Sequence, residues 1–141
     1  ETATIEAAFL AARSSGTFCL VEGAGGLLVP VTATVTMADL AALLGLPLLI
    51  VARDALGTVS HTLLTVEVAR ARGLDVVGGV LCQTSPPDDA ALKNAEAIAS
   101  HGDARLLGTL PFLARADDDE LGRAAEEHID LAAILRAASA R

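Results

Sequence analysis

Aromatic side chains and lysine are scarce in this chain. Of its 141 residues three are Phe and none is Tyr or Trp, which leaves no row of rings on which nucleic-acid bases could stack. Ten cationic residues face 18 carboxylates, for a net charge of −8. That balance excludes a broad basic face for nucleic acid or for an anionic membrane. Two cysteines are too few for a disulfide framework. Cys19 and Cys82 lie in the apolar runs Thr17-Phe18-Cys19-Leu20-Val21 and Val80-Leu81-Cys82, so they read as reduced, buried thiols of an intracellular, cytoplasmic protein. Long hydrophobic runs are missing too. Residues 43–52 come nearest, but Gly45 and Pro47 interrupt them, and a membrane span needs about 18 apolar residues in succession. No basic n-region precedes the first apolar residues, so no signal peptide is expected, and the absence of an initiator Met suggests that something upstream is missing.

What the chain has is aliphatic material, with 52% hydrophobic residues. A core of Ala, Leu and Val follows, and the length suits one domain spanning residues 1–141. Hydrophobic period and punctuation divide it into strand-then-helix units. Apolar Ile5, Ala8, Phe9 and Ala12 recur at helical spacing, which predicts a helix over 2–14. A continuous apolar strand is expected at 17–21. Thr36, with Asp39 three positions later, can cap a helix ending at Gly45. Strands follow at 47–52, 76–82 and 105–110, the first of them apolar throughout as a strand covered on both faces requires. Helices are expected from Thr58 or Ser60 to Arg72 with Gly73 as a left-handed stop, over 88–100 on the surface, and from 117 to 138. The alternation implies an α/β fold, a mostly parallel sheet with helices on both faces, and ligands at the carboxyl ends of the strands.

Two loops could carry chemistry. Val21-Glu22-Gly23-Ala24-Gly25-Gly26 places a carboxylate at a strand's expected end, followed by three glycines. Glu22 there could hold a cation or accept a proton while the backbone approaches a ligand; the plain alternative is an ordinary glycine turn with a solvated Glu. Leu56-Gly57-Thr58-Val59-Ser60-His61 leads straight into a helix, whose free amides and positive dipole end suit a phosphate or carboxylate. Its plain alternative is routine capping by Thr58 and Ser60. His61 lacks a partner carboxylate or Cys that would mark catalysis, and Cys19 and Cys82 lack metal-ligand spacing. The one lysine, Lys93, does not stand in a Gly-x-x-x-x-Gly-Lys-Ser/Thr setting, so the chain has no P-loop phosphate clamp of its own.

The runs Val21-Glu22-Gly23-Ala24-Gly25-Gly26-Leu27-Leu28-Val29-Pro30, Thr36-Met37-Ala38-Asp39-Leu40, Leu46-Pro47, Leu56-Gly57-Thr58-Val59-Ser60-His61-Thr62-Leu63-Leu64-Thr65 and Leu107-Gly108-Thr109-Leu110-Pro111 together resemble the dethiobiotin synthase family, in order and spacing, over residues 2–135. The resemblance implies a P-loop NTPase-like fold, represented here by its rear portion and incomplete at the N-terminal side. It implies a homodimer that closes the ureido ring of dethiobiotin from 7,8-diaminononanoate, CO2 and ATP with Mg2+. A carbamate of the diamine attacks the γ-phosphate, and the second amine then displaces phosphate from the mixed anhydride. Carried over by position, Glu22 is a Mg2+ ligand and Gly25 and Gly26 lie along the diamine. Amides of Gly57, Thr58, Val59 and Ser60 bind the substrate carboxylate, and Pro111, Phe112 and Leu113 line the base site. Cys82 stands where the family commonly has an Asn that reads adenine, a task for which a thiol is a weak donor and acceptor; Ser60 likewise replaces a common Asn. The competing expectation is a non-catalytic binding or interaction domain built on the same fold.

Overall fold

The computed structural model describes residues 2–16, 18–87, 91–101 and 104–139. Three of the apolar runs become strands: β1 (Leu48–Arg53), β2 (Val76–Cys82) and β3 (Leu106–Leu110). They form a parallel sheet in the order β1-β2-β3. Parallel neighbours cannot be joined by a tight hairpin. Accordingly α3 (Thr58–Ala71) crosses from β1 to β2 and α4 (Ala91–His101) from β2 to β3. Helices α1 (Thr2–Ser15) and α2 (Met37–Leu44) precede the sheet, and α5 (Asp118–His128) and α6 (Leu131–Ser139) follow it.

Side chains alternate across the sheet, and each face has its own apolar cluster. Val66 of α3 and Ile98 of α4 pack on Leu81, with Ile50, Ala52 and Leu106 beside them. On the opposite face Ala133 and Ile134 of α6 meet Val80, Leu107 and Leu49. Helices therefore lie on both faces, as apolar strands require, although Val51 of β1 stays exposed. Leu81 and Ile98 are fully buried; each contributes about 1.5–3 kcal/mol relative to exposure.

The helix ends follow local chemistry. At α2 the Thr36 hydroxyl accepts from the Asp39 amide at 3.4 Å while the Asp39 carboxylate accepts from the Thr36 amide at 2.7 Å, a full capping box. Helix α3 closes with Gly73 at φ 68°, its amide donating to Arg70 O and that of Leu74 to Ala69 O, each at 2.9 Å, which is a Schellman closure. It starts at Thr58, one of the two expected positions, but the expected side-chain capping is not made. Gly57, at φ 91°, is the N-cap.

Three further expectations are corrected. Residues 18–21 form no strand, although their apolar pattern predicts one; Thr17 lies outside the described residues. A strand exists only through a ladder partner, and among the described residues β1 pairs with β2 alone. Phe18, Leu20 and Val21 are accordingly exposed. The expected helix over 117–138 is two helices, broken at Ile129-Asp130. Ile129 is extended and bridges to Gly108, and the Asp130 amide donates to Leu107 O at 2.7 Å. Asp130 then accepts from the Ala133 amide at 2.9 Å and restarts the helix. The expected helix start at 88–90 lies outside the described residues. Finally, both cysteines are half-buried rather than buried.

Candidate functional site

The carboxyl ends of the strands sit side by side. Arg53, Cys82 and Leu110 occupy one row across β1, β2 and β3. Beyond that row the Asp54 amide donates to Cys82 O at 2.8 Å and the Gln83 amide to Leu110 O at 3.0 Å. Side chains extend the connection. The Gln83 carboxamide donates to Asp54 Oδ2 at 3.2 Å, Asn94 Nδ2 of α4 donates to Asp54 Oδ1 at 2.8 Å, and the Phe112 amide donates to Gln83 Oε1 at 3.3 Å. Asp54 is 8% exposed and Asn94 7%, so their bond is buried and its loss strands polar groups out of water, while the two bonds of Gln83 are half-buried.

Sequence reasoning misses this network. It places Asn94 with Lys93 on a surface helix, whereas only Lys93 is exposed. The available signal is the polar residue directly after each apolar strand, Asp54 and Gln83, and the four-residue spacing of Asn94 from Ile98. Cys82 and the segment 111–113, expected as the base site, are brought together here. Burial pushes the Cys82 thiol up, so it is a neutral group at neutral pH.

The turn after β1 is the second part. Thr58 is buried, and its amide donates to Ala55 O at 3.1 Å; the His61 amide donates to Gly57 O. Among the described residues the amides of Gly57, Val59 and Ser60 make no backbone hydrogen bond. A helix start leaves such donors facing outward, with the positive end of the dipole behind them. An anion is the complementary ligand. Thr58 enters that first turn through its buried side chain rather than through a spare amide.

The glycine turn at 23–26 is hitched to α2. Val29 donates to Gly26 O at 2.9 Å, Ala38 to Leu27 O at 2.8 Å and Met37 to Val29 O at 2.9 Å. Gly25 takes φ 77°, and a Cβ there would lie 2.9 Å from Val29 Cγ2, so the turn is specific to glycine. Gly26 has open space around it. Glu22 is exposed beside this turn. No hydrogen bond joins the turn to the α3 terminus among the described residues. Nor do the described residues hold a group of three His, Cys, Asp or Glu able to cage a metal. A lone exposed carboxylate does suit Mg2+, which takes one or two carboxylates and completes its shell with phosphate oxygens and water.

Among the described residues no helix is long and apolar enough to cross a membrane. A family model described as an AAA domain matches residues 1–120. The ATP-dependent dethiobiotin synthetase BioD of Anaeromyxobacter dehalogenans (strain 2CP-C) is 55% identical over 104 residues, covering 73% of this chain and 46% of the relative. The proteins of the same name from Novosphingobium aromaticivorans and Bacillus cereus (strain B4264) are each 44% identical, over 77% of this chain and 50% and 46% of their own lengths. The chain thus spans about half the length of the curated relatives it matches. By these matches, and by its parallel α/β sheet, the chain belongs to the AAA domain family, among the dethiobiotin synthetase-like sequences.

Proposed function

We propose that the protein carrying this chain is an ATP-dependent ring-closing ligase that forms dethiobiotin from 7,8-diaminononanoate and CO2, acting in the cytoplasm as a homodimer. The observation that carries the reading is the α3 terminus, where the amides of Gly57, at φ 91°, and of Val59 and Ser60 make no backbone hydrogen bond, in a chain similar to proteins named for that reaction. The relatives' name supplies the reaction, and the amides supply a seat for the substrate's carboxylate. Residues 1–141 act as one domain in this reading.

The chain's own residues divide the work. Gly57, Val59 and Ser60 bind the carboxylate end of the diamine, with Thr58 packed beneath to hold the turn. Gly25 and Gly26 let backbone lie along the aliphatic chain. Pro111, Phe112 and Leu113, next to Cys82, receive the base of the nucleotide. Glu22 is the residue that holds Mg2+, which when bound neutralises charge on the transferring phosphoryl group. The lone lysine, Lys93, is exposed on α4, so a lysine clamp on the phosphates is not made by these residues.

The test is Glu22→Gln in the protein of full natural length. Mg2+-dependent turnover should fall by about a hundredfold or more, with the circular dichroism spectrum unchanged. Turnover within a few-fold of the unaltered protein would remove Glu22 from the metal and leave the reading without its magnesium site.

A further inference from the structure

The network at the strand ends has a polarity that the neighbouring groups impose. A carboxylate only accepts and a backbone amide only donates. Gln83 lies between one of each, Asp54 Oδ2 at 3.2 Å and the Phe112 amide at 3.3 Å. Its NH2 must therefore face Asp54 and its oxygen must face Phe112. Asp54 is in turn held by Asn94 at 2.8 Å. Pro111, which directly follows β3, has no amide to donate. The Phe112 amide is thus the first donor after the strand, and the Gln83 carboxamide is its acceptor. With the Gln83 backbone amide on Leu110 O at 3.0 Å, Gln83 grips the chain on both sides of Pro111.

We infer that Gln83 and Asp54 are positioning residues of the nucleotide site, fixing the 111–113 segment through a relay of hydrogen bonds that converges on Asp54: the Phe112 amide donates to Gln83, Gln83 donates to Asp54, and Asn94 donates to Asp54 from the other side. The inference rests on the reading of 111–113 as the base site. A negatively charged acceptor in a buried place strengthens both amide bonds to it and removes the choice of carboxamide orientation that a neutral acceptor would leave. The base site then owes its shape to the backbone of 111–113, held from β2. The side chain at 82, a thiol, adds little recognition.

Exchanging the partners' chemistry tests this. Gln83→Glu keeps the side chain's shape and its acceptor toward Phe112 but sets two carboxylates against each other. Adding Asp54→Asn restores every bond with the charge moved one place, since a carboxamide at position 54 can accept from Asn94 and donate to a carboxylate at position 83. In the full-length protein, Gln83→Glu should raise KM for ATP about tenfold with kcat within threefold, and the double variant should return KM to within about threefold of the unaltered protein. Exchange of the Phe112 amide with solvent deuterium should quicken in the single variant and recover in the double. Gln83→Met, uncharged and of similar length, should match Gln83→Glu in both readouts and serves if the carboxylate pair prevents folding.

Unchanged Phe112 exchange in a folded single variant, or a double variant that folds without recovering KM, overturns the relay. A lowered kcat at constant KM also overturns it, because the pair would then act on the chemistry rather than on nucleotide placement. An unaltered protein that neither binds nor turns over ATP refutes the base-site reading itself, whatever the exchange rates show, and the nucleotide role of the pair falls with it.

Discussion

Replacing Gly108 by alanine should destabilise the folded protein by about 3 kcal/mol. Gly108 sits in β3 at φ 148°, where the extended end of α5 passes over the strand. A Cβ at this position would fall on the His128 carbonyl oxygen, with His128 C and Ile129 Cα each 2.9 Å away. Every one of those atoms is backbone, so no side chain can rotate aside. The unfavourable dihedral costs about 1–2 kcal/mol, and forcing extra volume into a packed contact about 1–3 kcal/mol. Gly73 supplies the comparison: at φ 68° its Cβ would meet nothing within 4 Å, so Gly73→Ala bears the conformational cost alone, about 1 kcal/mol. Urea unfolding followed by circular dichroism measures both, with about 10 °C expected in Tm for Gly108→Ala. Equal losses in the two variants, within about 0.5 kcal/mol, would refute the claim that the helix break is pressed onto the glycine.

Two titrations complete the set. The Thr36 hydroxyl and amide, and beyond them the Arg72 guanidinium at 2.8 Å, hold the Asp39 carboxyl below its usual 3.8. A folded value below the unfolded one stabilises fully above pH 3.8 and is lost as pH falls through the folded value; NMR titration of Asp39 should place its midpoint below 3.8, and a midpoint at or above it would contradict the capping geometry. Burial raises Cys82 above its ordinary 9.0. Its reaction with iodoacetamide at pH 8 should be slower than that of a small free thiol, and the matching stabilisation, complete below pH 9.0, should fade as pH rises through the folded value. Alkylation as fast as the free thiol's would show that Cys82 is not shielded.

Local signals are legible wherever a residue's role is set by its near neighbours. The apolar runs at 76–82 and 106–110 need only their own composition, and Thr36 with Asp39 announces its cap within four residues. The misreadings all arise from distant partners. Residues 18–21 have the apolar pattern of a strand but no ladder to join among the described residues. Near Ile129 only Asp130, a residue suited to capping, hints at a break, since its cause is a glycine 21 positions earlier in β3. Asn94 resembles a surface polar residue until Asp54, 40 positions away, arrives as its acceptor. The glycine turns are legible as turns; which amides stay free is not, because Thr58 spends its own on Ala55 O.

The relay at the sheet's rim is built from polar groups of Asn94, Asp54, Gln83 and the Phe112 backbone, none of which belongs to the apolar clusters of the interior. Its wiring and the aliphatic packing beneath it are therefore separable layers. Valine-for-isoleucine exchanges in the strands can tune robustness while the rim keeps its pattern, and the rim can be rewritten by matched changes, as at positions 54 and 83, without re-solving the interior. A scaffold arranged in this way can change what it recognises faster than it changes its shape.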